Sequence, residues 1–455
     1  MTAEIAIMNR EAVALAADSA ITISQGGAPR IYATANKLFA LSRHHPVGIM
    51  VYGNASFMEV PWETVIKLYR ARLGGTAHAT IQDYTDDFVE FLQSETALAP
   101  SKSQDQFVRR VLDAVFTVMV RQIQREFTSK LPEETPTTPE EFQQLLQRVK
   151  SDVIGEHYRR WRAARFSEDM DAASANELRR QYRLTIKDTK EANFGADLET
   201  TASRQLTLLA GWVLSKHDDR YTSIGGSGVV IAGFGEEQLF PSLRAVRVAG
   251  IAGGKLNYGW ADGASTDIGT EEGEAIVPFA QGEMVRSFME GIEPGFRKEL
   301  ENGVKQILEK YPTIIINSLR ETSDEERKRL KAVAASAASE MLEVFKDSLD
   351  ATGYTRYVEP VISTIASMPK SELPAVAEAL VNLQSFKRRV SGEQETVGGP
   401  IDVMLISKGD GLIWIQRKHY FDANLNPQYF QAANSAVADD TVGVERTLEG
   451  NNSHG

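Results

Sequence analysis

The chain opens on an alternation of side-chain types. Ala3, Ile5 and Ile7 alternate with Glu4, Ala6 and Met8, the period of a strand with two distinct faces. Asn9-Arg10-Glu11 supplies a turn, and Ala12 to Ala17 reads as the partner strand. That partner is built almost wholly from small residues, so another layer can press closely against it, and it ends in Asp18-Ser19. A second hairpin follows. Lys37 begins its first strand, and a run of β-branched and apolar residues ends its second at Gly53.

The period then changes to that of helices. Val65, Leu68 and Tyr69 mark a helix over Glu63 to Leu73, closed by Gly74-Gly75, and Ile81, Tyr84, Phe88 and Leu92 mark a return helix over Thr80 to Leu92. Residues 97–225 read as a helical insertion, with Phe107, Val111, Val115 and Val118-Met119 as one amphipathic stripe and helical patterns again from Glu140. Strand patterns resume at Ser227 with GVVIAGFG, PSLRAVRVAG, AGGKLNYGWADG and EAIVPFAQG. A helix starts within 282–291, and residues 293–368 read as a second helical insertion, including the alanine-rich Arg329 to Leu349. Leu373 to Arg389 is a helix with Val376, Leu380 and Leu383 on one face. Gly398-Gly399 then turns into a buried strand, and Leu412 to Tyr420 is the last strand. The tail from about Val437 is polar and expected to be disordered.

Composition narrows the function. The 455 residues contain no cysteine, which removes disulfides, thiolate catalysis and cysteine-ligated zinc, and no apolar stretch approaches the ~20 residues of a membrane helix. The first residues lack a signal peptide's basic and apolar regions, so a cytoplasmic protein is expected. A net charge of −12 disfavours nucleic acid as a partner. The arginines between Ser151 and Glu191 are interleaved with acids such as Asp152, Glu156 and Glu168, the pattern of a salt-bridged, solvated helix rather than an RNA-binding face. Ala249 to Lys255 invites comparison with a phosphate-binding loop but lacks its first glycine, its Ser/Thr after the lysine and a following helix pattern, so it reads as a plain loop.

The two hairpins carry the candidate chemistry. A threonine beside a free α-amino group has a general base within its own residue. Methionine aminopeptidases remove Met1 when the next residue is small, and Thr2 qualifies. The amine's ordinary pKa of ~7.7–8 suits that role near neutral pH. A nearby Lys37 ammonium lowers the hydroxyl's pKa, and Asp18 orients the lysine and balances its charge. Gly53, at a strand end, can offer its backbone N–H to an oxyanion without side-chain obstruction.

In this order Thr2, Asp18, Lys37 and Gly53 resemble the N-terminal threonine peptidases, the proteasome β-subunits and the bacterial HslV peptidase, and AADS at Ala16 to Ser19, NKLFAL at Asn36 to Leu41, YGNA at Tyr52 to Ala55 and AGFG at Ala232 to Gly235 share the likeness. The resemblance implies nucleophile Thr2, acidic partner Asp18, essential lysine Lys37 and oxyanion glycine Gly53. It implies an α+β fold, the Ntn-hydrolase four-layer αββα sandwich of two antiparallel sheets. Its core would be residues 1–96, 226–292 and 369–421, interrupted by helical insertions at 97–225 and 293–368 and followed by a C-terminal extension over 422–455. No metal or organic cofactor is implied. The expected partners are a polypeptide substrate, further copies of the chain in a ring-like homo-oligomer, and a separate ATPase unfoldase, with no nucleic acid or membrane. By family position the pocket for the residue before the cleaved bond involves Ile21, Ala35, Val51, Ala55 and, towards its base, Glu59, which suits large apolar or basic side chains.

The supporting positions depart from the family. Gln281 stands where a serine is usual, and before Gly398-Gly399 the usual aspartate and serine fall on Gln394 and Val397, with Glu395 one residue off register as a substitute. Two alternatives therefore stay open beside the peptidase: an amidase acting on a small amide through the same nucleophile, and a proteasome-like scaffold that binds a partner through its helical insertions.

Overall fold

The computed structural model describes residues 3–23, 30–131, 138–196, 198–218, 226–261, 263–270, 273–280, 282–319, 322–390, 398–419 and 421–428. The chain divides into two compact units, residues 1–34 with 268–418 and residues 35–267 with 419–455. Each contains an antiparallel sheet with helices, so the protein is a mixed α/β chain. The expected disordered tail from Val437 lies outside the described residues.

In the first unit five strands lie in the order Glu274–Ala280, Ala3–Asn9, Ala12–Ala17, Asp402–Ser407 and Gly411–Gln416. Every position of Ala3–Asn9 and Ala12–Ala17 is buried. The small residues of Ala12–Ala17 act as expected: Ala12, Ala14 and Ala16 share a core with Leu373, Ala377, Leu380 and Val381 of the helix Leu373–Val390. Larger side chains there would hold the helix off the sheet. The turn after the first strand does more than reverse the chain. Asn9 Oδ1 accepts from the Glu11 and Ala12 N–H groups, while its Nδ2 donates to the carbonyls of Ile365 and Met368 at 3.1 and 2.8 Å. A buried amide thus ties the first turn to the end of the helix Glu359–Ser367. The unit also contains a long antiparallel helical hairpin, Pro294–Ser318 and Asp324–Gly353. Ser323 caps the second of these, and its first turn carries Asp324, Glu325 and Glu326, signs favourable to a helix start.

The second unit's sheet runs Lys255–Trp260, Ser242–Ala252, Ser227–Gly233, Val47–Gly53 and Leu38–Ala40. Against it pack Trp62–Leu73 and Ile81–Ser94, the latter opened by a capping box between Thr80 and Asp83. The expected apolar stripe needs correction at two positions. Leu68 is exposed, because the helix buries the Trp62, Val65, Ile66, Tyr69 and Leu73 face, and Val118 points outward while Met119 is buried. The helices of 101–213 are not tethered at a distance. Phe107, Val111 and Phe116 of Ser101–Lys130 and Leu206 of Thr200–Val213 join Val229, Ile231 and Val246 of the sheet in one apolar core. Gly250 is the seat of that junction: a Cβ there would lie 2.7 Å from the Phe107 ring, and the strand pairing shifts register between Val248 and Gly250. The arginine-rich segment makes ion pairs, among them Arg160–Asp218 at 2.5 Å and Lys187–Glu191 at 3.9 Å. The plain loop expected over 249–255 is corrected to a tight hairpin: Ala249 to Ala252 end one strand, Lys255 begins the next, and only Gly253-Gly254 turn, while Lys255 Nζ is held by Ser174 Oγ and Glu177.

Candidate active site

The first strand is fixed at its first described residue by Asp18. This aspartate is 1% exposed, and its Oδ1 accepts the Ala3 N–H at 3.1 Å. Its Oδ2 accepts the Gly398 N–H at 2.8 Å, and its own N–H donates to the Ala3 carbonyl at 3.1 Å. Hairpin register makes these bonds possible, because Ala17 pairs with Glu4 and the chain must continue past Ala3. Ser19 extends the same ties: its N–H donates to the Gly398 carbonyl, and its hydroxyl donates to the Pro400 carbonyl. The glycine turn recognised in the sequence is therefore stapled to Asp18 and Ser19 by three hydrogen bonds, all within the first unit.

Opposite Ala3 in the neighbouring strand lies Ala280, a non-glycine residue at φ +54°. An alanine in the left-handed region costs about 1–2 kcal/mol, and such strain gathers at functional positions. Ala3, Asp18, Ala280 and Gly398 are thus brought together in one unit. Thr2, Gln281 and Glu395, along with Gln394 and Val397, lie outside the described residues. Ile21 begins the short strand Ile21–Ile23, where it pairs with Tyr32.

The other expected residues belong to the second unit. Lys37 is 6% exposed just before Leu38–Ala40, and its carbonyl accepts the Val51 N–H at 2.9 Å, which fixes the residue to the neighbouring strand. Gly53 ends that strand at φ +86°, a conformation only glycine adopts without strain, and a Cβ would lie 2.9 Å from the Gly226 carbonyl oxygen. Both backbone geometry and space therefore demand glycine here. Val51 is buried, Ala35 is half-buried and Ala55 is exposed.

Ser227, which sequence reasoning missed, secures this strand end. It pairs with Gly53, donates its hydroxyl to the Asn54 carbonyl at 3.1 Å and accepts the Trp62 indole N–H at 2.9 Å. Only the strand register, unavailable from local pattern, would have revealed it. Met58 and Glu59 form a two-residue hairpin turn with φ of +48° and +73°, where glycine or asparagine is usual. Glu59 stands 3.9 Å from Arg110 in a half-exposed ion pair. A cavity of about 490 Å³ lies elsewhere, among Glu126, Ser151, Asp152, Glu156, Arg159 and Glu199, and none of the four expected catalytic residues lines it. Among the described residues no group of His, Asp and Glu is arranged to hold a metal ion, and no helix is long and apolar enough to cross a membrane.

No family model and no curated protein matches the chain. Among solved structures it is similar to Anbu (ancestral beta-subunit) from Yersinia bercovieri, at 10% identity over 96% of each chain, with a TM-score of 0.26. A superposition this loose carries no argument about fold, chemistry or assembly.

Proposed function

We propose that the protein is a proteasome-like N-terminal threonine peptidase, active once removal of Met1 exposes Thr2. The observation that carries this reading is the Asp18 carboxylate bonded to the Ala3 N–H at 3.1 Å, a buried acid held against the residue that follows the threonine. The core is assigned the four-layer αββα arrangement. Thr2 Oγ adds to the carbonyl carbon of a peptide bond while its proton passes through water to the α-amine. The Gly53 N–H stabilises the oxyanion, Lys37 favours the ionised hydroxyl, and Asp18 supplies the compensating negative charge. The C–N bond then breaks and the leaving amine takes the proton. Water hydrolyses the threonyl ester by the reverse sequence, restoring the hydroxyl. Gln281 and Glu395 take the accessory positions. Ile21, Ala35, Val51, Ala55 and Glu59 receive the side chain before the cleaved bond. Assembly as a ring-like homo-oligomer fed by a separate ATPase belongs to the same proposal.

Intact-protein mass spectrometry, with and without a peptide epoxyketone or β-lactone, tests both requirements. The expected result is a chain beginning at Thr2 that gains one inhibitor mass, with the adduct lost in Thr2→Ala and Lys37→Ala. Loss of Met1 with no adduct from several electrophiles on the assembled protein would overturn the peptidase and favour the scaffold. Adduct formation with turnover of small amides but not peptides would favour the amidase.

A further inference from the structure

The helical hairpin Pro294–Ser318 and Asp324–Gly353 has almost no core of its own. Among its described residues only Ile316 and Ala338 are fully buried. Two long helices that bury so little against each other lack the packing that sustains helices in water. Their large apolar side chains are instead exposed in stripes. On the second helix Leu330, Val333, Ala337, Met341 and Val344 recur at spacings of three and four, with Val333, Met341 and Val344 at 61, 59 and 63% exposure. On the first helix Ile307, Tyr311 and Ile314, at 64–65% exposure, form a similar stripe. The opposing faces of the pair carry half-buried residues such as Val304 and Leu308 on one helix and Leu342, Phe345 and Leu349 on the other. On each helix the exposed stripe lies about a quarter-turn from that face. Because the helices run antiparallel, both quarter-turns lead to the same side of the hairpin.

We propose that this side docks on the same side of a second copy of the chain, forming a two-fold antiparallel four-helix bundle. The occupant is identified by the pattern's symmetry. Reversing the second helix about Ala337 places Leu330 opposite Val344 and Val333 opposite Met341, so the stripe is complementary to itself. The charges have the same property. Arg327, Lys328, Arg329 and Lys331 follow the acidic first turn Asp324-Glu325-Glu326 and leave that end with a small positive balance, while Glu340, Glu343, Asp347 and Asp350, relieved by Lys346 and by Arg297 of the first helix, leave the other end negative. Antiparallel contact about Ala337 sets Lys331 level with Glu343 of the second copy and its Asp347 beside Arg327 and Arg329, whereas parallel contact sets each of these charges against its own like.

The first helix supports the same axis. Arg297 bonds Asp350 and Arg327 bonds the Leu319 carbonyl, so Ala337 lies level with Glu309 and Lys310, within about a residue of the midpoint between Ile307 and Ile314. A two-fold passing there brings Ile307 over Ile314 of the second copy, with Tyr311 near the centre. One axis therefore closes both stripes. The surface is separate from the proposed active site, and the inference stands whether or not the chain cleaves peptides.

The absence of cysteine makes a direct test clean. In full-length protein, Ala337→Cys is expected to give a disulfide-linked pair of chains on mild oxidation at micromolar concentration, faster than Ser336→Cys or Ser339→Cys. Arg329→Glu should reduce self-association by about tenfold, roughly the effect of one broken charge pair. The double variant Arg329→Glu with Asp347→Arg should restore it, read by light scattering and by cross-linking rate in the Ala337→Cys background. Circular dichroism checks that helix content is unchanged. A monomeric mass for the unaltered chain, equal linkage at all three cysteine positions, or no recovery in the charge-swapped double variant would each overturn the proposal.

Discussion

A buried aspartate and a half-buried histidine show how little separates a structural residue from a functional one. Asp18 accepts two backbone N–H bonds, from Ala3 and Gly398, with one carboxylate oxygen each. Asparagine can satisfy one of these, but its amide would face the other donor. Asp18→Asn should therefore cost about 1–3 kcal/mol in stability and abolish the electrophile adduct at Thr2, whereas a purely architectural Asp18 would lower the melting temperature and leave the adduct intact. His217 behaves differently. Burial pushes its pKa below the ordinary ~6.5, the Tyr258 backbone opposes that shift, Arg247 and Arg165 add to it, and Glu168 counters it. Its folded state releases the proton more readily than the unfolded chain. The associated stability is present above about pH 6.5 and is lost as pH falls towards the folded pKa. Between about pH 7 and pH 5 the denaturation midpoint should fall less in His217→Gln than in the unaltered protein.

At the scale of elements, local period and turn chemistry made most pieces legible. The alternation of Ala3, Ile5 and Ile7 became the strand Ala3–Asn9, and the helix expected over Leu373 to Arg389 runs Leu373–Val390. The last strand is shorter than expected, Gly411–Gln416, because pairing with Asp402–Ser407 ends where Gln416 meets Val403. Leu68 was misplaced because helix period alone leaves the stripe's width undefined, and its neighbours Ile66 and Tyr69 take the buried side. What local pattern could not supply was choice of distant partner: Ser227 for Trp62, Asn9 for Ile365, Gly398 for Asp18. Nor does it foresee left-handed turns without glycine, such as Met58-Glu59. That turn carries a test of specificity. Arg110 partly neutralises Glu59 in a half-exposed pair, an interaction too weak to matter much for stability. Arg110→Ala should raise cleavage after basic residues relative to apolar ones, and Glu59→Ala should lower it. Equal changes for both substrate classes in a peptide library would remove Glu59 from the pocket.

At the scale of the whole chain the sequence conveyed the succession of strand-rich and helix-rich regions, including the helices over 101–213 and 294–367. It did not convey that the former share a core with a sheet, because the Phe107–Gly250 contact joins residues far apart in sequence. One such distant tie also governs timing. The turn at Asn9 is held by Ile365 and Met368, and the strand Ala12–Ala17 pairs with Asp402–Ser407. During synthesis at ~5–20 residues per second, the N-terminal hairpin therefore waits on the order of 20–80 seconds for its partners. Most of the second unit, residues 35–267, is continuous and can fold meanwhile. Chains arrested on the ribosome near residue 300 should resist protease across 35–267 and be cut within the first 34 residues. Protection of both regions at that length would show that the hairpin closes without its late partners. A ribosome-bound chain would then present a finished helix-and-sheet unit while Asp18 and the strand it anchors still lacked Gly398, so the two halves of one chain would reach their final form at different moments of synthesis.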